Sequence, residues 1–349
     1  MLKAYWTHYR LLFKQASGTS RGVLTHKDSY FIFIEDLENA GVTAIGECGL
    51  LKGLSSDPIK GYERFLDKVC HNIYDLEELE DEIIQYPSIR FGLEMAFADL
   101  DAKGSKILFP SDFTEGLVKQ PINGLVWMGE FEFMKSQIEE KIKAGFNCIK
   151  LKIGAIDFEQ ELALIKNIRN EFKVNEIEIR VDANGAFSIN EAMEKLKRLS
   201  DLDLHSIEQP IKQGQFEAMA QLCESTPLPI ALDEELIGIH DLNEKKTLLK
   251  AINPQYIILK PSLLGGWQAS EEWIDLAEAQ NIGWWATSAL ESNIGLNAIA
   301  QWTYELNNPM HQGLGTGQLY TNNIPSPLYI EKGSIGYKPK DEWDFHILS

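Results

Sequence analysis

The chain has 349 residues, 44% of them hydrophobic and 24% charged, with a formal net charge of −19. That length exceeds one average domain and suits a barrel of about 250 residues together with a smaller unit. So acidic a chain repels phosphate backbones and anionic membrane surfaces, which sets aside nucleic acid and membranes as partners.

In chain order, the opening MLKAYWTHYRLLFKQ alternates polar and apolar residues and lacks the continuous apolar run of a signal peptide or spanning helix, so a cytoplasmic protein is expected. Strands are predicted over Tyr5–Phe13, from Tyr30 through YFIFIEDL and from Val42 through VTAIGECG, with SGTSRG as the first loop. Helical spacing follows in GYERFLDKVCHNI and SIRFGLEMAFADLDAKG. These elements predict an α+β domain over residues 1–112. From Pro121 onward, short apolar strands alternate with amphipathic helices: INGLVW, CIKLKIG, IEIRVDANG, LHSIEQP, IALDEEL, YIILKPS, GWWATSAL and HQGLGTG. Eight strands separated by seven helices predict an α/β fold, a (β/α)7β TIM-like barrel over 113–317. Residues 318–349 hold too few apolar residues for a core of their own and are expected to return to the first domain. Cys48, Cys70, Cys148 and Cys223 form no CxxC pair and are read as reduced, mostly buried thiols.

In a parallel barrel the active site lies at the carboxyl ends of the strands. Lys150 and Lys152 alternate with Ile149, Leu151 and Ile153, so both lysines face inward if the apolar trio faces the helices. Asp182, Glu208 and Asp233 end three successive strands, 25 or 26 residues apart. One such acid alone is more often a loop carboxylate or a helix cap. Three converging in a low-dielectric mouth call for a cation, and an all-oxygen set suits Mg²⁺, with Mn²⁺ able to substitute. Lys260 ends the sixth strand, across the ring from Lys150 and Lys152. Lysines on two sides of a metal suit removal of a proton next to a carboxylate, with the metal balancing the enolate charge.

The succession KLK, VDAN, EQP, DEE and KPS, with GECGLLKGLS at 46–55, resembles the muconate-lactonizing subgroup of the enolase superfamily, and SALESNIGLNAIAQW at 288–302 looks most like its o-succinylbenzoate synthases. The pairing of a lysine base with Mg²⁺ is a known pattern of that superfamily. The resemblance implies Lys152 as general base, Lys150 as its electrostatic partner and Lys260 as the opposite cation. It implies Asp182, Glu208 and Asp233 as metal ligands, and Asn184 and Glu234 as residues that orient them. Ser288, Ser262 and the backbone at Gly265 and Gly266 are implied to meet a substrate carboxylate, although serine and glycine also serve simply to make tight turns. Arg21, in the loop of residues 17–26 expected to cap the site, is as readily a solvated charge as a substrate ligand. The implied reaction is dehydration of 2-succinyl-6-hydroxy-2,4-cyclohexadiene-1-carboxylate to o-succinylbenzoate, a lyase step of menaquinone biosynthesis through an enediolate. Racemisation of N-acylamino acids or epimerisation of dipeptides is the alternative, though GLGTG near the eighth strand lacks the DxD usual in the epimerases. A barrel that binds without turnover is a third reading, disfavoured because every expected catalytic position is filled. The expected partner is a small carboxylate, and a homo-oligomer is left open.

Overall fold

A computed structural model describes residues 1–19, 22–39 and 41–348. Strand β1 (Leu2–Thr19) pairs antiparallel with β2 (Gly22–Asp36), which pairs with β3 (Thr43–Cys48). The predicted loop SGTSRG is shorter than expected, because the ladder continues through Ser17↔Leu24 and Gly18↔Val23 after a register shift beyond Leu12. A cross-strand partner supplies hydrogen bonds that the Ser, Gly and Thr composition does not announce. Helices α1 (Tyr62–His71) and α2 (Pro87–Asp101) cover one face of this sheet, Pro87 sitting in the first turn where its missing N–H costs nothing. Ile32, Ile34, Ala44 and Cys48 pack there against Leu66, Val69, Ile89 and Leu93.

The second unit is a curled sheet of seven parallel strands in sequence order: β4 (Gly124–Val126), β5 (Cys148–Lys152), β6 (Glu178–Asp182), β7 (Ser206–Glu208), β8 (Ile230–Leu232), β9 (Tyr256–Leu259) and β10 (Gly283–Ala286). Between and after them run α3 (Phe131–Lys143), α4 (Phe158–Glu171), α5 (Ile189–Ser200), α6 (Phe216–Ser225), α7 (Leu242–Ile252), α8 (Gly266–Glu278) and α9 (Asn293–Glu305). The eighth position is filled by two bridging residues. Gln312 forms a parallel bridge to Ile122, and Gly313 one to Thr287, so the edges β4 and β10 are joined through them. Closing a sheet this way removes its open edges. Ile149, Leu151 and Ile153 are buried on the helix side of β5, each contributing about 1.5–3 kcal/mol by burial. The alternation that hides them turns Lys150 and Lys152 toward the barrel axis.

The tail divides its contacts. Residues near 319–322 hydrogen-bond to β1, and Trp343, Phe345 and Leu348 pack with Phe31 and Ile45 of the first sheet. The hairpin of β11 (Leu328–Glu331) and β12 (Ser334–Tyr337) instead pairs with Gln120 and Pro121, below the first barrel strand. The expectation that 318–349 returns as a whole to the first domain is therefore corrected for this hairpin. Its β-branched and aromatic residues need a strand partner, and the segment leading into β4 offers one. Among the described residues, no helix is long and apolar enough to cross a membrane.

Candidate active site

Strand pairing sets the positions of the charged cluster. Lys152 lies opposite Asp182 in the β5–β6 ladder, and Asp182 opposite Glu208 in the β6–β7 ladder, while Asp233 and Lys260 directly follow β8 and β9. Lys150 Nζ is 3.0 Å from Asp182 Oδ2 and also bonds Glu208. Lys152 Nζ sits 3.1 Å from Asp182 Oδ2 and donates to Asn184 Oδ1 at 2.7 Å. From the far side, Lys260 Nζ pairs with Asp233 and lies 4.0 Å from Glu208 Oε1. The structure thus brings together all six residues that the strand ends suggested. Asn184, in a left-handed conformation with φ of 44°, bridges the cluster outward: its N–H bonds Asp182 at 3.0 Å and its amide donates to Glu234 Oε1 at 3.1 Å. Such a backbone conformation away from glycine is strained and concentrates at functional sites.

Three carboxyl groups face three lysine amines in a nearly solvent-free setting. Burial acts to lower the pKa of Lys150, but Asp182, Glu208 and Asp233 outweigh it and hold the amine above its ordinary value. Lys260 is likewise raised against burial by Asp233 and Glu208. Asp182 and Asp233 are held below the usual carboxylate range, although burial opposes this, by Lys150 and Lys152 for the first and Lys260 for the second. Glu208, buried between those two anions, is pushed well up by burial and by the charge of Asp182. Its Oε1 is buried with no hydrogen-bond partner. An orphaned carboxylate oxygen among converging acids is the donor set of a hard divalent cation, so these residues fit one.

The cluster opens into a cavity of about 380 Å³ lined by Lys152 and Lys260, by Trp127 and Leu290 of the barrel, and by Leu24 and Leu51 of the first domain. Other expected contacts lie elsewhere. Ser262 is fully buried and donates to Glu291 Oε1 at 2.5 Å. Gly265 and Gly266, with φ of 100° and 98°, turn the chain into α8 against Arg90 and Glu94 of α2, and a Cβ at Gly266 would meet Glu94 Oε2 at 2.0 Å. The short helix Pro261–Leu264 that begins after Lys260 carries all three away from the cavity, so their assignment to a substrate carboxylate is corrected. Ser288 does line the cavity, but its hydroxyl donates to Glu291 and accepts from Thr316 Oγ1 at 2.7 Å. With its proton committed, Ser288 presents only a lone pair inward, not a donor for an anion. Arg21 lies outside the described residues.

A family model described as "Enolase C-terminal domain-like" matches residues 134–339. The o-succinylbenzoate synthase of Desulfotalea psychrophila is 48% identical over 93% of this chain and 96% of its own. The chain belongs to the enolase superfamily. A crystal structure of MenC from Desulfotalea psychrophila superposes with a TM-score of 0.84 at 45% identity, covering 96% of this chain and 99% of that one. Within the superfamily, the fold also matches a dipeptide epimerase from Enterococcus faecalis solved with Mg and the dipeptide L-Leu-L-Tyr, with a TM-score of 0.82 at 21% identity over 96% of both chains.

One part of this enolase-superfamily site was missing from the sequence reading. Glu47 of β3 is fully buried and accepts from Ser29 Oγ at 2.7 Å, Ser292 Oγ at 2.5 Å and the Gly295 N–H at 3.0 Å, with Lys27 Nζ 3.7 Å away. Glu291, also fully buried, holds Ser262 and Ser288. Glu47 thereby joins the first domain to the loop after β10, which lines the cavity, and Glu291 of that loop ties it to the short helix after Lys260. The available signal was an acid inside an apolar run, in AIGEC and again in SALES. Ser288→Ala removes a donor from Glu291, and stability is expected to fall by about 1–3 kcal/mol. A melting temperature equal to that of the unaltered protein would show that the serine proton is not spent on Glu291.

Proposed function

We propose that this chain dehydrates 2-succinyl-6-hydroxy-2,4-cyclohexadiene-1-carboxylate to o-succinylbenzoate, a carbon–oxygen lyase step of menaquinone biosynthesis. The observation that carries the reaction class is the placement of Lys150 and Lys152 on one side, and Lys260 on the other, of Asp182, Glu208 and Asp233. The substrate follows from the 48% identity, spread over nearly both chains, to an o-succinylbenzoate synthase. A divalent metal held by Asp182, Glu208 and Asp233, Mg²⁺ or Mn²⁺, supplies the charge that balances the substrate carboxylate as its α-proton leaves.

Lys152 removes the proton from the ring carbon that bears the carboxylate. Its conjugate acid then protonates the 6-hydroxyl, which departs as water, and the electrons of the broken C–H bond form the double bond that makes the ring aromatic. Asn184 fixes the direction of the Lys152 amine through the 2.7 Å contact, and Glu234 fixes Asn184. Lys150, tied to two acids, keeps those acids in place and sets a positive charge beside Lys152. Lys260 places positive charge on the opposite face. We take residues 1–112 as a cap that contributes the apolar wall at Leu24 and Leu51, and 113–317 as the catalytic barrel. Four free, buried cysteines fit a reducing, cytoplasmic setting.

The test is an assay of the purified protein on the cyclohexadiene and on a panel of dipeptides and N-acylamino acids. Dehydration is expected to dominate, to vanish after chelation and to return with Mg²⁺ or Mn²⁺. Full activity in a metal-stripped preparation would overturn the ligand assignment. Exclusive turnover of dipeptides would overturn the substrate.

A further inference from the structure

At the opposite end of the barrel, away from the lysine–carboxylate cluster, a second group of ligating atoms converges. Cys148 and Glu178 begin β5 and β6, and His311 precedes the residues that close the ring. Cys148 Sγ is 3.4 Å from Glu178 Oε1, His311 Nδ1 is 3.8 Å from Glu178 Oε2, and one ligand atom from each residue lies within 4.8 Å of the others. His311 Nε2 lies 2.9 Å from the Asn147 side-chain oxygen, an acceptor, which puts the ring proton on Nε2. Nδ1 then faces Glu178 Oε2 at 3.8 Å, too long for a direct hydrogen bond. Either a second ring proton or a metal cation joins these two groups, and the Cys148 thiol beside the same carboxylate supplies the third ligand that a metal cation needs.

We propose that Cys148, Glu178 and His311 form a metal site at the floor of the barrel, distinct from the hard-cation site and selective for a borderline-soft divalent ion such as Zn²⁺. Sulfur, imidazole and carboxylate together make a zinc donor set. A tetrahedral ion with sulfur at about 2.3 Å and nitrogen and oxygen at about 2.0–2.1 Å has S···O and N···O edges of about 3.5 and 3.3 Å; Cys148 Sγ already stands 3.4 Å from Glu178 Oε1, whereas His311 Nδ1, 3.8 Å from Oε2, must move closer on binding. Cys148 is fully buried, whereas the Glu178 and His311 side chains are 27% and 18% exposed, which leaves a path for the ion and room for water as a fourth ligand. Arg180 Nε donates to Glu178 Oε1 at 2.7 Å and Arg180 Nη1 to the His311 carbonyl at 2.9 Å, so one guanidinium orients two ligands. Binding replaces the thiol proton, which passes to solvent as the thiolate forms its bond to the ion. The ion would tie β5 and β6 to the segment that closes the barrel with only Gln312 and Gly313, and so would act as a structural clamp.

Cobalt tests this in the full-length protein kept saturated with Mg²⁺. Co²⁺ is expected to give an intense near-ultraviolet thiolate-to-metal band that saturates at one equivalent and is bleached by Zn²⁺. Asp182→Asn leaves the band in place, Cys148→Ser abolishes it, and Asn147→Ala weakens Co²⁺ binding by about 10- to 100-fold. Zn²⁺ also raises the melting temperature of the unaltered protein but not of Cys148→Ser. Absence of the band from the unaltered protein overturns the proposal without recourse to any variant, and so does a band that survives in Cys148→Ser.

Discussion

Lys152→Ala is expected to lower the dehydration rate by about 10²- to 10⁴-fold while the protein still folds and binds its metal. The size follows from the double duty of one amine, which takes the α-proton and then returns a proton to the leaving hydroxyl. The retained fold follows from geometry. Asp182 loses the amine 3.1 Å away but keeps Lys150 at 3.0 Å, so no carboxylate is left without a cationic partner. Lys150→Ala makes the useful contrast. Lys150 is buried and bonds both Asp182 and Glu208, and removing one partner from buried pairs costs about 3–5 kcal/mol. Lys150→Ala should therefore act first on stability, and Lys152→Ala on rate. Measuring turnover, bound metal and melting temperature on both variants separates the two roles. A Lys152→Ala enzyme within tenfold of the normal rate would remove this lysine from the chemistry.

Much of this site was legible because it follows from two periodicities. A strand alternates its faces, so KLK flanked by isoleucines names the inward pair before any coordinates exist. A βα repeat returns each strand end to the same rim, so acids spaced by one repeat must meet there. What the sequence did not reveal depends on where the chain goes between or beyond those repeats. Gly265 and Gly266 follow a strand end, yet the short helix after Lys260 aims them at Glu94, and nothing in KPSLLGG announces that direction. Ser288 stands where expected, but the partner that takes its proton, Glu291, is three residues along a loop with no period. Glu47 is coupled to Ser292 across 245 residues, a contact set by docking of the two units and not by any local pattern. The β11–β12 hairpin was misplaced for a similar reason: its strand partner is a two-residue segment too short to register as a strand.

Replacing Lys260 with arginine is expected to separate the proposed dehydration from the racemase chemistry that the same scaffold performs elsewhere in its superfamily. In the dehydration both proton transfers belong to Lys152, and Lys260 contributes charge on the other face of the ring. In a racemisation the opposite lysine must itself deliver or remove a proton. Guanidinium keeps the charge but hardly deprotonates, so it can serve the first role and not the second. Lys260 pairs with Asp233 and lies near Glu208, and its amine is raised above its ordinary value by those acids despite burial. That environment favours a resident cation, as an electrostatic role requires. Arginine is larger than the space Lys260 fills, so some dehydration is lost through misfit, and Asp233 must shift to meet the planar group. The expected result is measurable dehydration with no detectable racemisation of N-acylamino acids in one preparation, metal content verified. Complete loss of dehydration in a folded, metal-loaded Lys260→Arg enzyme would mean that the amine moves a proton in the main reaction, and the one-base scheme built on Lys152 would have to be given up.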